Sequence, residues 1–287
     1  MSVISVFTLS SGVYTDEQDL VSKLDTFMTT TLSWNKLKDI TDTVSDKNVA
    51  FYNDGDGEYN RNFVSVRGTS NYVEFHSYSL FNEDTDVGSD DLYNTNTRIP
   101  TSTSSGVYWF LGNRDCIHVS VEHIPSADSY MGGFGYWRTY ASSEEDPKPV
   151  YVYGQTSTSQ LFSDSSERVR SYAPKSWGTS VDKNNTLSGT VGNYASNHNT
   201  AIVNAASQSR TGQPYIFESV FFTYDNVPYF ESRGEIPGIH LIGDSSYTNG
   251  QIITISGINL INGNYFIQKH SSANNVHWAI GRVTNIL

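Results

Sequence analysis

Apolar side chains recur at helical spacing near the start of the chain and at every second position beyond residue 49. Leu20, Leu24, Phe27 and Met28 stand at i, i+4, i+7 and i+8, which draws one apolar stripe along a helix. Thr15 precedes the stripe as a candidate N-cap, and Gln18 three residues later completes a capping-box pattern. Asp16, Glu17 and Asp19 fill the first turn, where the helix dipole favours carboxylates. The spacing predicts a helix over residues 16–29, ended by the Thr29-Thr30-Thr31 run, with its stripe laid on a sheet.

After Trp34, Leu37 and Ile40 the period falls to two. Val49 and Phe51, then Phe63, Val64 and Val66, then Val73 and Phe75 predict strands, as does the aromatic run at 107–112. Ile117, Val119 and Val121 alternate with His118, Ser120 and Glu122, the pattern of a half-buried strand. Short strands follow at 130–137 and 150–153. From 155 to 212 Ser, Thr, Asn and Gly dominate and the period is lost, although Tyr172, Trp177, Tyr194 and 201–203 offer apolar surface. Regular strands return from Tyr215 to Ile280, punctuated by Gly257, Gly263 and Gly281. The predicted fold is mostly β: short-stranded sandwich or barrel-like sheets with one N-terminal amphipathic helix. Its organisation reads as an N-terminal helix plus β domain over 1–154, a loop-rich insertion over 155–213, and a C-terminal β segment over 214–287 that packs on the first domain. No fixed-period repeat points to a propeller or β-helix.

Composition changes this picture in one respect. Charged residues are 17% of the 287, against about 25% in ordinary soluble domains, and Tyr reaches 19 copies. Hydroxyl, amide and phenol surfaces suit a packed protein assembly, and equally a carbohydrate-binding β protein. A net charge of −12, with no Lys/Arg-rich run, disfavours nucleic acid as a partner. Cys116 is the single cysteine, as expected of a chain made in a reducing cytoplasm. Residues 1–12 lack the basic start of a signal peptide, and no apolar run is long enough to span a membrane.

Candidate chemistry is sparse. Asn53-Asp54-Gly55-Asp56-Gly57-Glu58 places oxygens around glycines, which fits a hairpin turn and, as the alternative, a cation loop. Asp84, Asp86, Asp90 and Asp91 read as a solvated loop. His76, His118, His123, His198, His240, His270 and His277 are scattered without zinc-ligand spacing. No nucleophile elbow or P-loop occurs, and Met131-Gly132-Gly133-Phe134 lacks the following helix that phosphate cradling needs. No catalytic, cofactor-binding or metal residue is assigned, no cofactor is expected, and an enzyme is not expected.

Several stretches, in order, nevertheless resemble a family of tailed-bacteriophage virion structural proteins of tail or neck type. They are the capped helix before Trp34 and Asn62-Phe63-Val64-Ser65-Val66-Arg67-Gly68. Then come Tyr108-Trp109-Phe110-Leu111-Gly112-Asn113-Arg114, Tyr130-Met131-Gly132-Gly133-Phe134 and Pro149-Val150-Tyr151-Val152-Tyr153-Gly154. Gly234-Glu235-Ile236-Pro237-Gly238-Ile239, Ile252-Ile253-Thr254-Ile255-Ser256-Gly257, Tyr265-Phe266-Ile267 and Trp278-Ala279-Ile280 complete the series. The resemblance implies a subunit of the neck, collar, tail or baseplate, located in the virion, whose partners are copies of itself and other virion proteins. The alternative is a host-recognition module that binds a host-surface glycan.

Overall fold

The computed structural model describes residues 6–54, 62–78, 80–89, 91–93, 95, 97–101, 105–136, 138–139, 150–155, 169–172, 216–226, 229–242, 247–256, 262–269 and 277–286. Strand β1 (Val6–Tyr14) is followed by helix α1 (Glu17–Thr26), which widens into one π turn over Phe27–Thr31. Strands β2 (Asn35–Asp42), β3 (Asp46–Asn53), β4 (Asn62–Thr69) and β5 (Tyr72–Tyr78) come next. A hairpin of β6 (Leu80–Asn82) and β7 (Val87–Ser89) then leads to β8 (Arg98–Pro100). Strands β9 (Gly106–Gly112), β10 (Cys116–His123), β11 (Ser129–Tyr136), β12 (Arg138–Thr139), β13 (Val150–Tyr153) and β14 (Val169–Tyr172) follow. The last strands are β15 (Ile216–Asn226), β16 (Tyr229–Ile242), β17 (Ile252–Ile255), β18 (Gly263–Lys269) and β19 (His277–Ile286). Among the described residues the protein is therefore mostly β with a single helix near the N-terminus, and the sheets do not close into a barrel.

A five-stranded antiparallel sheet runs β2-β3-β4-β5-β8. The larger sheet runs β12-β16-β19-β1-β9-β10-β11-β13-β14, with β15 on β16 and the β17–β18 pair joined through β19. β1 lies parallel to β19, Val6 opposite Arg282, and antiparallel to β9. Strands from the 1–154 and 214–287 segments thus share one hydrogen-bonded sheet. Of the expected insertion at 155–213, only Gln155 and β14 are described; Trp177, Tyr194 and 201–203 lie outside the described residues.

One core joins the helix to both sheets. Leu20, Val21, Leu24, Phe27 and Met28 come from the helical stretch, Val49, Phe51, Val64, Val66, Val73, Phe75 and Ile99 from the smaller sheet, and Phe110, Ile117, Val119, Val121, Phe134 and Val152 from the larger. The register explains the selection: Val49 stands opposite Val66, Phe51 opposite Val64, and Val66 opposite Phe75, so one pleated face is continuously apolar. Phe134 meets the ring of Trp34 edge-on at 5.6 Å and that of Phe75 at 5.9 Å across the gap between sheets. Glycines allow the closest approach. A Cβ on Gly154 would stand inside van der Waals contact with the backbone of Thr97 and Arg98, so β13 passes β8 only without a side chain there.

Three expectations need correction. The helix cap is Asp16, not Thr15: Asp16 Oδ1 accepts from the Asp19 amide at 2.7 Å, and Asp19 Oδ2 accepts from the Thr15 amide at 3.0 Å. A carboxylate satisfies the orphan donors of the first turn more strongly than a hydroxyl, which shifts the boundary by one residue. The Thr29–Thr31 run does not simply end the helix either; Leu32 N–H reaches back to the Phe27 carbonyl at 3.2 Å and Trp34 N–H to that of Met28 at 3.0 Å. Strand β10 is not half-buried, because His118 and Ser120 are as inaccessible as Ile117 and Val119. Its second face is covered by β16 and β18: Ser120 Oγ donates to Gln268 Oε1, and Trp109 of neighbouring β9 packs on Phe266 at 5.7 Å.

Candidate functional site

Alternation that sends Val73 and Phe75 into the core places Glu74 and His76 on the outer face of the smaller sheet. Register then aligns them in rows. Asn48, Arg67, Glu74 and Arg98 face one another across β3, β4, β5 and β8; Ala50, Ser65 and His76 form the next row; Tyr52, Phe63 and Tyr78 the third. Beyond the hairpin the chain returns along β5, with Leu92 N–H bonded to the Ser77 carbonyl at 3.0 Å and the Leu92 side chain in the core. Asp91 and Tyr93, on either side of Leu92, reach the outer face.

These residues converge on His76. Its Nδ1 lies 2.9 Å from Asp91 Oδ2, while Asp91 Oδ1 accepts from the Tyr93 amide at 2.8 Å. Its Nε2 lies 4.0 Å from Glu74 Oε2, close enough for charge attraction and beyond a hydrogen bond, and it is buried without a hydrogen-bond partner. Tyr93 stacks on the imidazole, centroids 4.3 Å apart and planes 17° apart, and its hydroxyl donates to Glu74 Oε1 at 2.7 Å. Arg98 sits 3.7 Å from the same carboxylate oxygen and 3.7 Å over the Tyr72 ring. Burial alone pulls the His76 pKa down, but Asp91 and Glu74 outweigh it and hold the imidazole above its ordinary value. Burial pushes the Glu74 carboxyl up, and the attraction of the His76 imidazole together with the Tyr93 hydrogen bond outweighs that, leaving it below the usual range. The Tyr93 phenol, partly buried beside this carboxylate, is pushed up to about 12. The arrangement clamps the imidazole and favours its protonated form. With Nε2 sealed from solvent, it offers no face to a substrate.

A second histidine cluster lies inside the larger sheet, where β10 and β13 face β16. His118 Nε2–H donates to the Pro237 carbonyl at 2.9 Å, and the Tyr153 hydroxyl donates to Nδ1 at 2.7 Å. That pattern requires the neutral ring, and full burial lowers its pKa to about 4 despite the Pro237 bond. Cys116 Sγ is 3.9 Å from the same Nε2. Cys116 is fully buried, and its Sγ also lies 3.6 Å from Asn113 Oδ1. The cluster ties β10 to the C-terminal strands.

The other sequence candidates separate. Asn53 donates to the Arg114 carbonyl and accepts through its own carbonyl from the Tyr136 hydroxyl at 2.9 Å; of the proposed turn or cation loop, Gly55 to Glu58 lie outside the described residues. The acidic stretch is only partly a solvated loop: Asp84 is exposed, whereas Asp86 pairs with Lys38 and Asp91 with His76, and Asp90 lies outside the described residues. His123 donates to the Pro100 carbonyl at 3.1 Å, on the face of β10 opposite His118. His240 and His277 belong to β16 and β19, and His198 and His270 lie outside the described residues. Gly132 and Gly133 stand mid-strand in β11. Among the described residues no three His, Cys, Asp or Glu side chains are grouped to hold a metal, and no helix is long and apolar enough to cross a membrane. Alternation could have placed Glu74 and His76 together; nothing local announces that Asp91 and Tyr93 return to them. No protein-family model matches the chain, and no curated protein matches it.

Proposed function

We propose that the chain is a structural subunit of a tailed-phage particle, in its neck, collar, tail or baseplate, and that it acts by homo-oligomeric assembly. The observation that carries this reading is the β6–β7 hairpin. Its outward face exposes Leu80 by 65% and Val87 by 60%, diagonal neighbours in the hairpin register, while Phe81 packs inward on Tyr78 at 5.6 Å. Two large apolar side chains held outward on a pinned hairpin form a small surface that a neighbouring subunit would cover. The motif series described above supports the same reading.

Light scattering coupled to size exclusion, with negative-stain imaging, tests it. A closed ring of defined copy number is expected, since heterologous contacts that close make rings. Leu80→Asp combined with Val87→Asp should dissociate it without changing the far-ultraviolet circular dichroism. A monodisperse monomer with no affinity for other virion proteins would overturn the reading. Specific glycan binding by that monomer would put host recognition in its place.

A further inference from the structure

We propose that His76 is a proton-operated latch, fastening the returning segment 91–93, and with it the β6–β7 hairpin, to the outer face of the smaller sheet. The latch needs no oligomer and follows from what surrounds the ring. From β5 come Glu74 and Tyr78, from β4 Ser65 and Arg67, from β8 Arg98, and from the returning segment Asp91 and Tyr93. Arg67 is engaged by Asp46, and the Tyr78 hydroxyl by Ser65 at 2.9 Å, which leaves the two carboxylates as the charges that act directly on the imidazole. On the hairpin side, Lys38 of β2 holds Asp86 and the Glu83 carbonyl.

In the imidazolium form both ring N–H groups face carboxylates, one at hydrogen-bond distance and one at 4.0 Å. In the neutral form Nδ1–H keeps Asp91, but the Nε2 lone pair is left buried and turned toward the Glu74 carboxylate. The ring loses its charge attraction to both acids at once, keeping only the neutral hydrogen bond to Asp91, and the sheet loses the charge that holds the segment down. A group whose folded pKa is raised contributes stability that is complete below its unfolded value, about 6.5, and is lost as pH climbs through the folded value. The latch is therefore fastened below about pH 6.5 and loosens as pH rises through the folded value. The Lys38 contacts and the Phe81–Tyr78 packing persist, so the hairpin loosens and does not unfold.

Hydrogen exchange of the full-length protein between pH 6 and 9, corrected for intrinsic rates, reads this directly. Amides of 80–93 should lose protection as pH rises, by about tenfold for each unit by which the His76 pKa is raised. Amides of β9, β10 and β11 serve as the internal reference and should stay level. His76→Gln should abolish the pH dependence of 80–93. If that variant does not fold, Asp91→Asn keeps the imidazole and should move the transition to lower pH. Flat protection in the native protein, an unchanged slope in His76→Gln, or an unmoved transition in Asp91→Asn would each overturn the latch.

Discussion

At the scale of single residues, His76 and His118 show how neighbours set the sign of a titration. His118 is fully buried and His76 largely so, but His76 faces two carboxylates and His118 a carbonyl and a phenol. His118 is therefore held neutral, with a pKa near 4 against about 6.5 for the unfolded chain. The unfolded state binds the extra proton between those values, so the His118 contribution is complete above pH 6.5 and is lost as pH falls toward 4. Over that window the loss amounts to roughly 3 kcal/mol. Urea unfolding at pH 7.0, 5.5 and 4.5 should show the decline, and His118→Gln should remove most of it. Unchanged acid sensitivity in that variant would assign the decline to other groups.

At the scale of elements, the helix is held by its cap and its stripe, and the corner where the sheets meet by the absence of side chains. Asp16→Ala removes the acceptor for the Asp19 amide and should cost about 1 kcal/mol. Leu24→Ala empties a site at 1% exposure inside the shared core and should cost about 2–5 kcal/mol. Thermal or denaturant unfolding distinguishes the two by size. Gly154→Ala should destabilise by about 1–3 kcal/mol or more, because the new methyl meets the Thr97 and Arg98 backbone, which has no rotamer to change. Equal stability of the Gly154→Ala protein would show that β13 and β8 can separate at no cost.

At the scale of the molecule, β19 is the strand on which the larger sheet depends. It pairs with β16 and β18 through its first half and with β1 through its second. Deleting residues 277–287 would bare the edges of three strands at once. The shortened chain should lose its cooperative thermal transition and partition into the insoluble fraction on expression. A soluble truncation with a native-like transition would mean that the 1–154 segment folds without the C-terminal strands.

The chain's local periodicity was enough for the mostly-β class, the single helix with Leu20, Leu24 and Phe27 on its buried face, and the core-facing side of β3, β4 and β5. Those features depend on i to i+4 and i to i+2 spacing, which a sequence carries openly. Spacing also put Glu74 and His76 on one face. Tertiary structure alone decided the parallel pairing of β1 with β19, the burial of both faces of β10, and the convergence of Asp91 and Tyr93 on His76. Each joins segments far apart in the chain, and the energy of such a pairing belongs to the two partners together. Val6 carries no mark of Arg282, and His76 none of Asp91, until the intervening strands bring them side by side.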